Sequence, residues 1–159
     1  MTRDAGRTVP LPAGRRTIDE LVDHLRLEPH PEGGWFRRTF THHAIDHTGR
    51  PLGSAILYLL GAAERSHWHR IDAVELWHFH AGDPLVLQLS HDGDRVRTSI
   101  LGPDPLDGHE PQVIVPAGTW KAARSLGAWS LVGCTVMPAF LPEGFELAPP
   151  DWQPGPGPD

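Results

Sequence analysis

The chain has 159 residues, enough for one domain with a sizeable core, and its 39% hydrophobic and 21% charged residues exclude a disordered chain. Acidic residues outnumber basic ones by 20 to 14 and no basic stripe is present, which argues against nucleic acid as a partner. No segment approaches the roughly 18 to 20 apolar residues of a membrane helix, and the first twenty residues lack the apolar centre of a signal peptide. We therefore expect a cytoplasmic protein that binds neither nucleic acid nor membrane.

The first predicted elements are a flexible segment and a helix. Residues 1–16 are rich in Arg, Gly and Pro without periodicity, which predicts flexibility. Thr17 and Glu20 then have the spacing of a capping box. An apolar stripe at helical spacing follows, formed by Ile18, Leu21, Val22 and Leu25. We expect this helix to end before Pro29 and to pack its stripe on the outside of a sheet.

From Gly33 onward, short β-prone runs alternate with turn residues. About nine strands are predicted, in the runs WFRRTF, SAILYLL, SHWHRI, ELWHFHA, PLVLQLS, RVRTSIL, PQVIVP, GTWKAAR and WSLVGCTV. The separators are too short for crossover helices, so neighbouring strands should be mostly antiparallel, with a hairpin turn at Asp92 and Gly93. The pattern predicts an all-β sandwich or barrel, followed by a flexible Pro/Gly-rich tail over residues 148–159.

Five of the eleven histidines lie within twenty-five residues, at His67, His69, His78, His80 and His91. Residues two apart in a strand point the same way, so His67 and His69 should present both imidazoles to one side. If the chain then turns and pairs back, Glu75 comes opposite them and supplies an oxygen ligand or a base. These three side chains predict a metal site for one divalent ion, such as Fe, Mn, Zn or Ni. The alternative is a hydrogen-bonded polar patch.

Aromatic and polar residues near this cluster are candidates for a pocket wall. Trp77 and Phe79 share the face of Glu75, whereas His78 and His80 point away and remain reserve ligands. Trp77, Phe79 and Trp120 are candidate substrate contacts, although such residues more often fill a core or a dimer interface.

Three further side chains carry reactive groups. Only one of Arg37 and Arg38 can face the pocket, and we assign Arg37 to a substrate carboxylate or phosphate. Tyr58 is a candidate pocket acid, with a buried core tyrosine as the alternative. Cys134 lies in an apolar run and is interpreted as a small buried hydrophobe.

The cluster resembles a known motif. Gly61, His67, His69, Glu75 and Gly82 follow the spacing of the first cupin motif, except that five residues separate His69 from Glu75. The longer text, from EPHPEGGWFRRTF to VIVPAGTWKAARSLGAWSLVGCTVMPAF, is similar to the small single-cupin family DUF985 (Cupin_5) over roughly residues 17–147. The resemblance implies a cupin double-stranded β-helix (jelly-roll barrel), commonly paired as a homodimer, with an interior pocket for a small molecule.

The second cupin motif departs from its pattern. Pro116, Ala117 and Gly118 match it, but Lys121 stands where metal-binding cupins place a fourth ligand histidine. The resemblance therefore leaves open a three-ligand metal centre, a metal site completed by another residue, or a metal-free polar pocket. Lys121 could also bind substrate or act as a base.

Cupins include enzymes and non-catalytic binders, so the fold alone does not choose between them. We expect an isomerase, epimerase or lyase in which an ion on His67, His69 and Glu75 polarises a substrate oxygen. A proton would then be moved by one of the nearby groups His78, Lys121 and Tyr58, or by Glu75 itself. The alternatives are a protein that only binds a sugar, nucleobase or aromatic metabolite, and a metal-free epimerase with a His and Glu couple.

Overall fold

The computed structural model describes residues 16–155. One α-helix, α1, spans Ile18–Leu25, and two short 3-10 helices span Pro105–Asp107 and Pro142–Gly144. The strands are β1 (Glu28–Pro29), β2 (Trp35–Thr41), β3 (Ser54–Gly61), β4 (Arg65–Ile71), β5 (Val74–Gly82), β6 (Leu85–Ser90), β7 (Arg97–Leu101), β8 (Gln112–Val115), β9 (Trp120–Ser125), β10 (Trp129–Met137) and β11 (Phe145–Leu147). Within this range, no helix has the length and apolar character needed to cross a bilayer.

The strands form two antiparallel sheets that enclose one interior. The larger sheet has the order β1-β2-β3-β10-β5-β8, and the smaller has the order β11-β4-β9-β6-β7. Their inward-facing apolar side chains make the main core, which includes Leu60, Leu85, Leu87, Leu101 and Val132, each fully buried. The predicted all-β architecture and the nine predicted strands are confirmed.

Helix α1 forms as the capping pattern predicts. The Thr17 side chain accepts a hydrogen bond from the Glu20 backbone N–H at 3.2 Å, and the Glu20 carboxylate accepts from the Thr17 N–H at 2.8 Å. The apolar stripe of the helix packs on the outer face of the larger sheet, against Leu59 and Trp129. The helix is therefore a cover for the sheet and lies outside the barrel interior.

Replacing Thr17 with alanine is expected to lower the free energy of unfolding by about 1 kcal/mol, because the Glu20 N–H loses its acceptor. Replacing it with serine keeps the hydroxyl and should change stability by only a few tenths of that amount. Urea unfolding of the two variants measures the difference, and equal stabilities would contradict the capping interpretation.

Two features of the fold differ from the expectations. β4 and β5 do not pair with each other; β4 pairs with β9 and β11, and β5 pairs with β10 and β8. The chain changes sheets between these strands, so Glu75 faces His69 of β4 across the interior. The very short strands β1 and β11 were not predicted because neither carries a period-2 apolar pattern long enough to detect.

The predicted flexible segments lie partly outside the described residues, namely at residues 1–15 and 156–159. The described part of the tail contacts the outer face of the smaller sheet. Ala148 is buried there, and Trp152 packs against Trp68 and Trp120 at centroid distances of 6.0 and 4.5 Å.

Candidate functional site

A cavity of about 300 Å³ opens into the barrel interior beside the main core. Its wall is mostly apolar, with aromatic rings from Phe36, Tyr58, Trp77, Phe140 and Phe145. Polar groups enter it from both sheets, and they are His30, Glu32, Arg38, Ser54, His69 and Glu75. An apolar enclosure with a few convergent polar groups is typical of a small-molecule site.

The register of the larger sheet explains which residues reach the cavity. Arg38 pairs with Ile56, Ile56 with Cys134, and Cys134 with Trp77, so these four residues form one row across β2, β3, β10 and β5. A second row joins Ser54, Val136 and Glu75. Because side chains opposite each other in paired strands share a face, every member of both rows points inward, and every member lines the cavity.

Glu32 enters the cavity from the turn before β2. Gly33 and Gly34 follow it with φ of +109° and +77°, in the left-handed region. A Cβ at Gly33 would lie 2.1 Å from the Arg65 carbonyl oxygen, so this turn can press against β4 only with glycine there. The His67 N–H donates to the Glu32 carbonyl at 2.9 Å, which fixes Glu32 beside β4.

The Glu32 carboxylate forms a buried ion pair with His69. The distance from His69 Nε2 to Glu32 Oε2 is 2.8 Å, and the Ser66 hydroxyl donates to Oε1 at 2.7 Å. His69 Nδ1 lies 2.8 Å from the His67 carbonyl oxygen, which can only accept, so we assign a proton to Nδ1. The contact with the Glu32 carboxylate occupies Nε2. Both ring nitrogens of His69 are therefore engaged by protein groups.

The pKa of Glu32 is lower than its ordinary value. Burial alone would raise it, but the positive charge of His69 and its hydrogen bond, with smaller effects of His30 and Ser66, outweigh burial and lower the pKa to about 2. The neighbouring His30 has a pKa below its ordinary value, mainly because burial disfavours the charged ring. The Glu32 N–H donates to His30 Nδ1 at 3.2 Å.

A second buried ion pair joins Glu75 to Lys121. The distance from Lys121 Nζ to Glu75 Oε2 is 2.7 Å, and the two side chains are 1% and 8% exposed. Lys121 is the only lysine in the whole sequence, and Glu75 lies between it and the cavity. Like the Glu32–His69 pair, this pair connects the two sheets across the interior.

The expectation that His67 and His69 face the same side is wrong. Ser66 pairs with Ala123 and His69 with Lys121, so β4 has one residue more than β9 between these points. This bulge turns both His67 and Trp68 outward, and His67 Nε2 lies 2.9 Å from the Pro149 carbonyl oxygen.

The residues present do not fit the expected three-ligand metal centre. His67 lies outside the cavity, His69 uses both nitrogens, and Glu75 holds the Lys121 ammonium. Among residues 16–155, no group of three His, Cys, Asp or Glu side chains is arranged to hold a metal ion.

The other predicted site residues are divided between the cavity and the rest of the molecule. Tyr58 lines the cavity and is also buried. Its hydroxyl donates a hydrogen bond to the Gly33 carbonyl oxygen. Burial raises the pKa of the Tyr58 hydroxyl well above its ordinary value. Trp77 lines the cavity as well. The cavity wall does not include the predicted site residues His78, Phe79, Lys121 and Trp120. Trp120 instead packs against Trp152 outside the barrel.

The prediction that Arg37, and not Arg38, faces the cavity is wrong. Arg38 lines the cavity, whereas Arg37 Nε donates to the Leu25 carbonyl at 2.8 Å and so supports the end of α1. Strand parity alone could not choose between them. The cavity residues His30 and Glu32 were also missed, because no regular strand pattern precedes them; the signal that could have found Glu32 is its place before two adjacent glycines.

Comparison with known proteins agrees with this architecture. The model of the Cupin_5 family, described as cupin superfamily (DUF985), matches residues 19–148. No curated protein matches the chain significantly.

Solved structures with the same fold are found at both higher and lower sequence identity. The protein SO0799 of Shewanella oneidensis is 36% identical with a TM-score of 0.80, over 84% of this chain and 85% of that one. A hypothetical protein from Leishmania major is 28% identical with a TM-score of 0.75, over 84% and 88%. An oxalate decarboxylase of Bacillus subtilis is 11% identical with a TM-score of 0.57, over 75% of this chain and 29% of that one, which is a likeness of fold alone. The chain therefore belongs to the Cupin_5 (DUF985) family of the cupin superfamily.

Proposed function

We propose that the protein is an isomerase, epimerase or lyase that binds a small organic molecule in the barrel cavity and moves a proton on it with Glu75. The observation that supports this most directly is the position of Glu75. Its carboxylate lies in the cavity wall, and the buried Lys121 ammonium holds Oε2 at 2.7 Å from behind. A carboxylate fixed in a mainly apolar enclosure is suited to general base catalysis.

The substrate class that fits is a carbonyl compound with an acidic C–H bond. Glu75 would take the proton from the carbon next to the carbonyl, and the C–H electron pair would form the enolate. Return of the proton from the Glu75 carboxyl to the opposite face of the same carbon, after the enolate turns over in the cavity, completes an epimerisation. In a hydroxyketone, return of the proton to the former carbonyl carbon, with the hydroxyl proton passing to the enolate oxygen, completes an isomerisation. In this proposal Lys121 stabilises the Glu75 carboxylate and is not itself in contact with substrate.

Solvent exchange tests the proposal. Incubation in D₂O with 2-oxo acids, hydroxyketones and ketoses should show loss of the C–H signal next to the carbonyl for at least one class. Glu75→Gln should slow that exchange by about 100-fold or more, because a neutral amide cannot take the proton. The exposed Glu28→Gln variant is the matched control and should keep the wild-type rate. Equal rates in Glu75→Gln and wild type would refute the proposal.

A binding protein without catalysis is the second candidate. The pairing of the charged interior groups favours this second function. Glu32 and His69 neutralise each other, and Glu75 and Lys121 do the same. Ligands that raise the melting temperature of wild type and Glu75→Gln equally, with no deuterium exchange, would support this second function.

A further inference from the structure

Three of the polar side chains in the cavity wall have a protein partner at every polar atom. The Glu32 carboxylate contacts His69 through one oxygen and a serine hydroxyl through the other. Both His69 nitrogens are engaged, and the Ser54 hydroxyl accepts a hydrogen bond from a backbone N–H at 3.0 Å. The arginine of the wall is exposed. The interior side chains that keep a polar atom without a partner are therefore His30 and Glu75.

The free atom of His30 is Nε2. Nδ1 accepts a hydrogen bond from the Glu32 N–H at 3.2 Å, and burial lowers the pKa of the His30 ring, so we assign a neutral ring with its proton on Nε2. Within residues 16–155, Nε2 makes no hydrogen bond and is not among the unpaired atoms that are closed to solvent. His30 thus offers an N–H donor on a side chain that is 14% exposed and lines the cavity.

The surroundings of the His30 ring direct this N–H into the cavity. Nδ1 faces the turn at Glu32, so Nε2 points away from that turn. The ring packs against two residues of the cavity wall, Phe36 and Tyr58, at centroid distances of 4.6 and 5.3 Å. Burial is the main effect on the pKa of His30, and the negative charge of Glu75 is one of the smaller effects that raise it. The ring and the Glu75 carboxylate therefore lie within electrostatic reach of each other in the same interior.

The free atom of Glu75 is Oε1. Lys121 holds Oε2, whereas Oε1 has no partner in the described part of the chain and is not closed to solvent. His30 reaches the cavity from the turn after β1 and Glu75 from β5, and β2, β3 and β10 lie between β1 and β5 in the sheet. A small molecule in the cavity would meet a carboxylate oxygen on one side and a neutral N–H donor on the other.

We propose that the His30 Nε2–H donates a hydrogen bond to the carbonyl oxygen of the substrate while Glu75 takes the proton from the adjacent carbon. The inference rests on the proposed function and adds a second catalytic residue to it. As the C–H electron pair forms the enolate, negative charge develops on the oxygen, and a donor already in place stabilises that charge. The imidazole proton stays on Nε2 throughout. A neutral imidazole is sufficient to polarise a carbonyl in this way.

Two substitutions of His30 separate its donor from its acceptor. His30→Asn keeps an acceptor near the position of Nδ1 for the Glu32 N–H but has no group at the position of Nε2. His30→Gln places an amide nitrogen near the position of Nε2 and loses the acceptor at Nδ1. A catalytic donor predicts that the glutamine variant is the more active of the two. A role confined to the turn predicts the reverse order.

Deuterium exchange into 2-tetralone compares the full-length variants, because this ketone has acidic C–H bonds and an apolar body that suits the cavity wall. His30→Asn should slow the exchange about 100-fold relative to wild type. His30→Gln should be about tenfold faster than His30→Asn, since it restores one hydrogen bond. The exposed His47→Asn variant is the matched control and should keep the wild-type rate. Exchange that depends on Glu75 but is equal in wild type and His30→Asn would overturn this inference alone, whereas a wild type without exchange would refute the proposed function as well.

Binding of 2-naphthol, the aromatic analogue of the 2-tetralone enol, tests the donor without turnover. Wild type should bind 2-naphthol about fivefold more tightly than His30→Asn does, and both should bind naphthalene equally. Equal affinities for 2-naphthol, or no binding to wild type, would overturn the inference. If His30→Asn does not fold, the ¹⁵N spectrum of wild type, assigned with His30→Gln, decides: 2-naphthol should shift the His30 Nε2 signal, and an unshifted signal would contradict the proposal.

Discussion

Replacing Lys121 with methionine is expected to lower the free energy of unfolding by about 3–5 kcal/mol, because it leaves the Glu75 carboxylate buried without its cation. Lys121 is 1% exposed and 2.7 Å from Glu75, so water cannot take its place without opening the interior. Methionine has a similar length and no polar group, so the loss of charge dominates over the change of volume. Urea unfolding at neutral pH measures the change.

The double variant Lys121→Met with Glu75→Gln separates charge from packing. It removes both charges and should recover a large part of the stability lost in the single variant. Glu146→Gln, which breaks the exposed Arg70–Glu146 pair, is the control and should cost at most about 1 kcal/mol. A Lys121→Met protein as stable as the control would show that no buried ion pair is present.

The pH dependence of stability is expected to change when Glu32 is replaced with glutamine. The folded-state pKa of Glu32 is about 2, below its ordinary value of 4.5, so its ionised form stabilises the fold above pH 4.5. That stability is lost as the pH falls from about 4.5 to 2, and it amounts to about 3 kcal/mol, from 1.36 kcal/mol per pKa unit. Glu32→Gln should therefore be less stable at neutral pH and have a flatter profile in this window.

Urea unfolding of wild type and Glu32→Gln at pH 7, 4.5, 3 and 2 measures the two profiles. The exposed Glu28→Gln variant has no buried partner to lose and should follow the wild-type profile. Parallel profiles for wild type and Glu32→Gln would mean that the Glu32–His69 pair does not stabilise the folded protein.

Both predictions concern the same structural feature, which is the pairing of charges between the two sheets. Glu32 and Glu75 belong to the larger sheet or its preceding turn, and His69 and Lys121 belong to β4 and β9 of the smaller one. Buried pairs of this kind are weak evidence for net stability, but removal of one partner is costly. The two pairs therefore hold Glu32, His69 and Glu75 in fixed positions around the cavity.

Much of the fold was predictable from local patterns. The capping box at Thr17 and the period-2 strands needed no tertiary information. The family resemblance predicted the barrel with His69 and Glu75 at its pocket, and strand parity predicted that Trp77 shares the face of Glu75. The positions of His67 and Arg38 were not predictable, because a single bulge in β4 and the choice of face in β2 depend on pairing with other strands.

The ion-pair partners of the site residues also could not be predicted from local sequence patterns. Glu32 is thirty-seven residues from His69, and Lys121 is forty-six residues from Glu75, by their numbers in the sequence. Strand parity predicts which way a side chain points, but not which group it meets across a barrel. The expected metal centre failed for this reason: each predicted ligand within the interior already has a protein partner.

Selective ¹³C,¹⁵N labelling of lysine tests the central claim most directly, because Lys121 is the only lysine in the sequence and gives a single side-chain signal. We predict an ammonium correlation at neutral pH that exchanges slowly with water, is displaced in Glu75→Gln and is unchanged by excess Zn²⁺. A signal with the fast exchange of an exposed lysine, or one that Zn²⁺ shifts as His69 and Glu75 turn to the ion, would contradict the account.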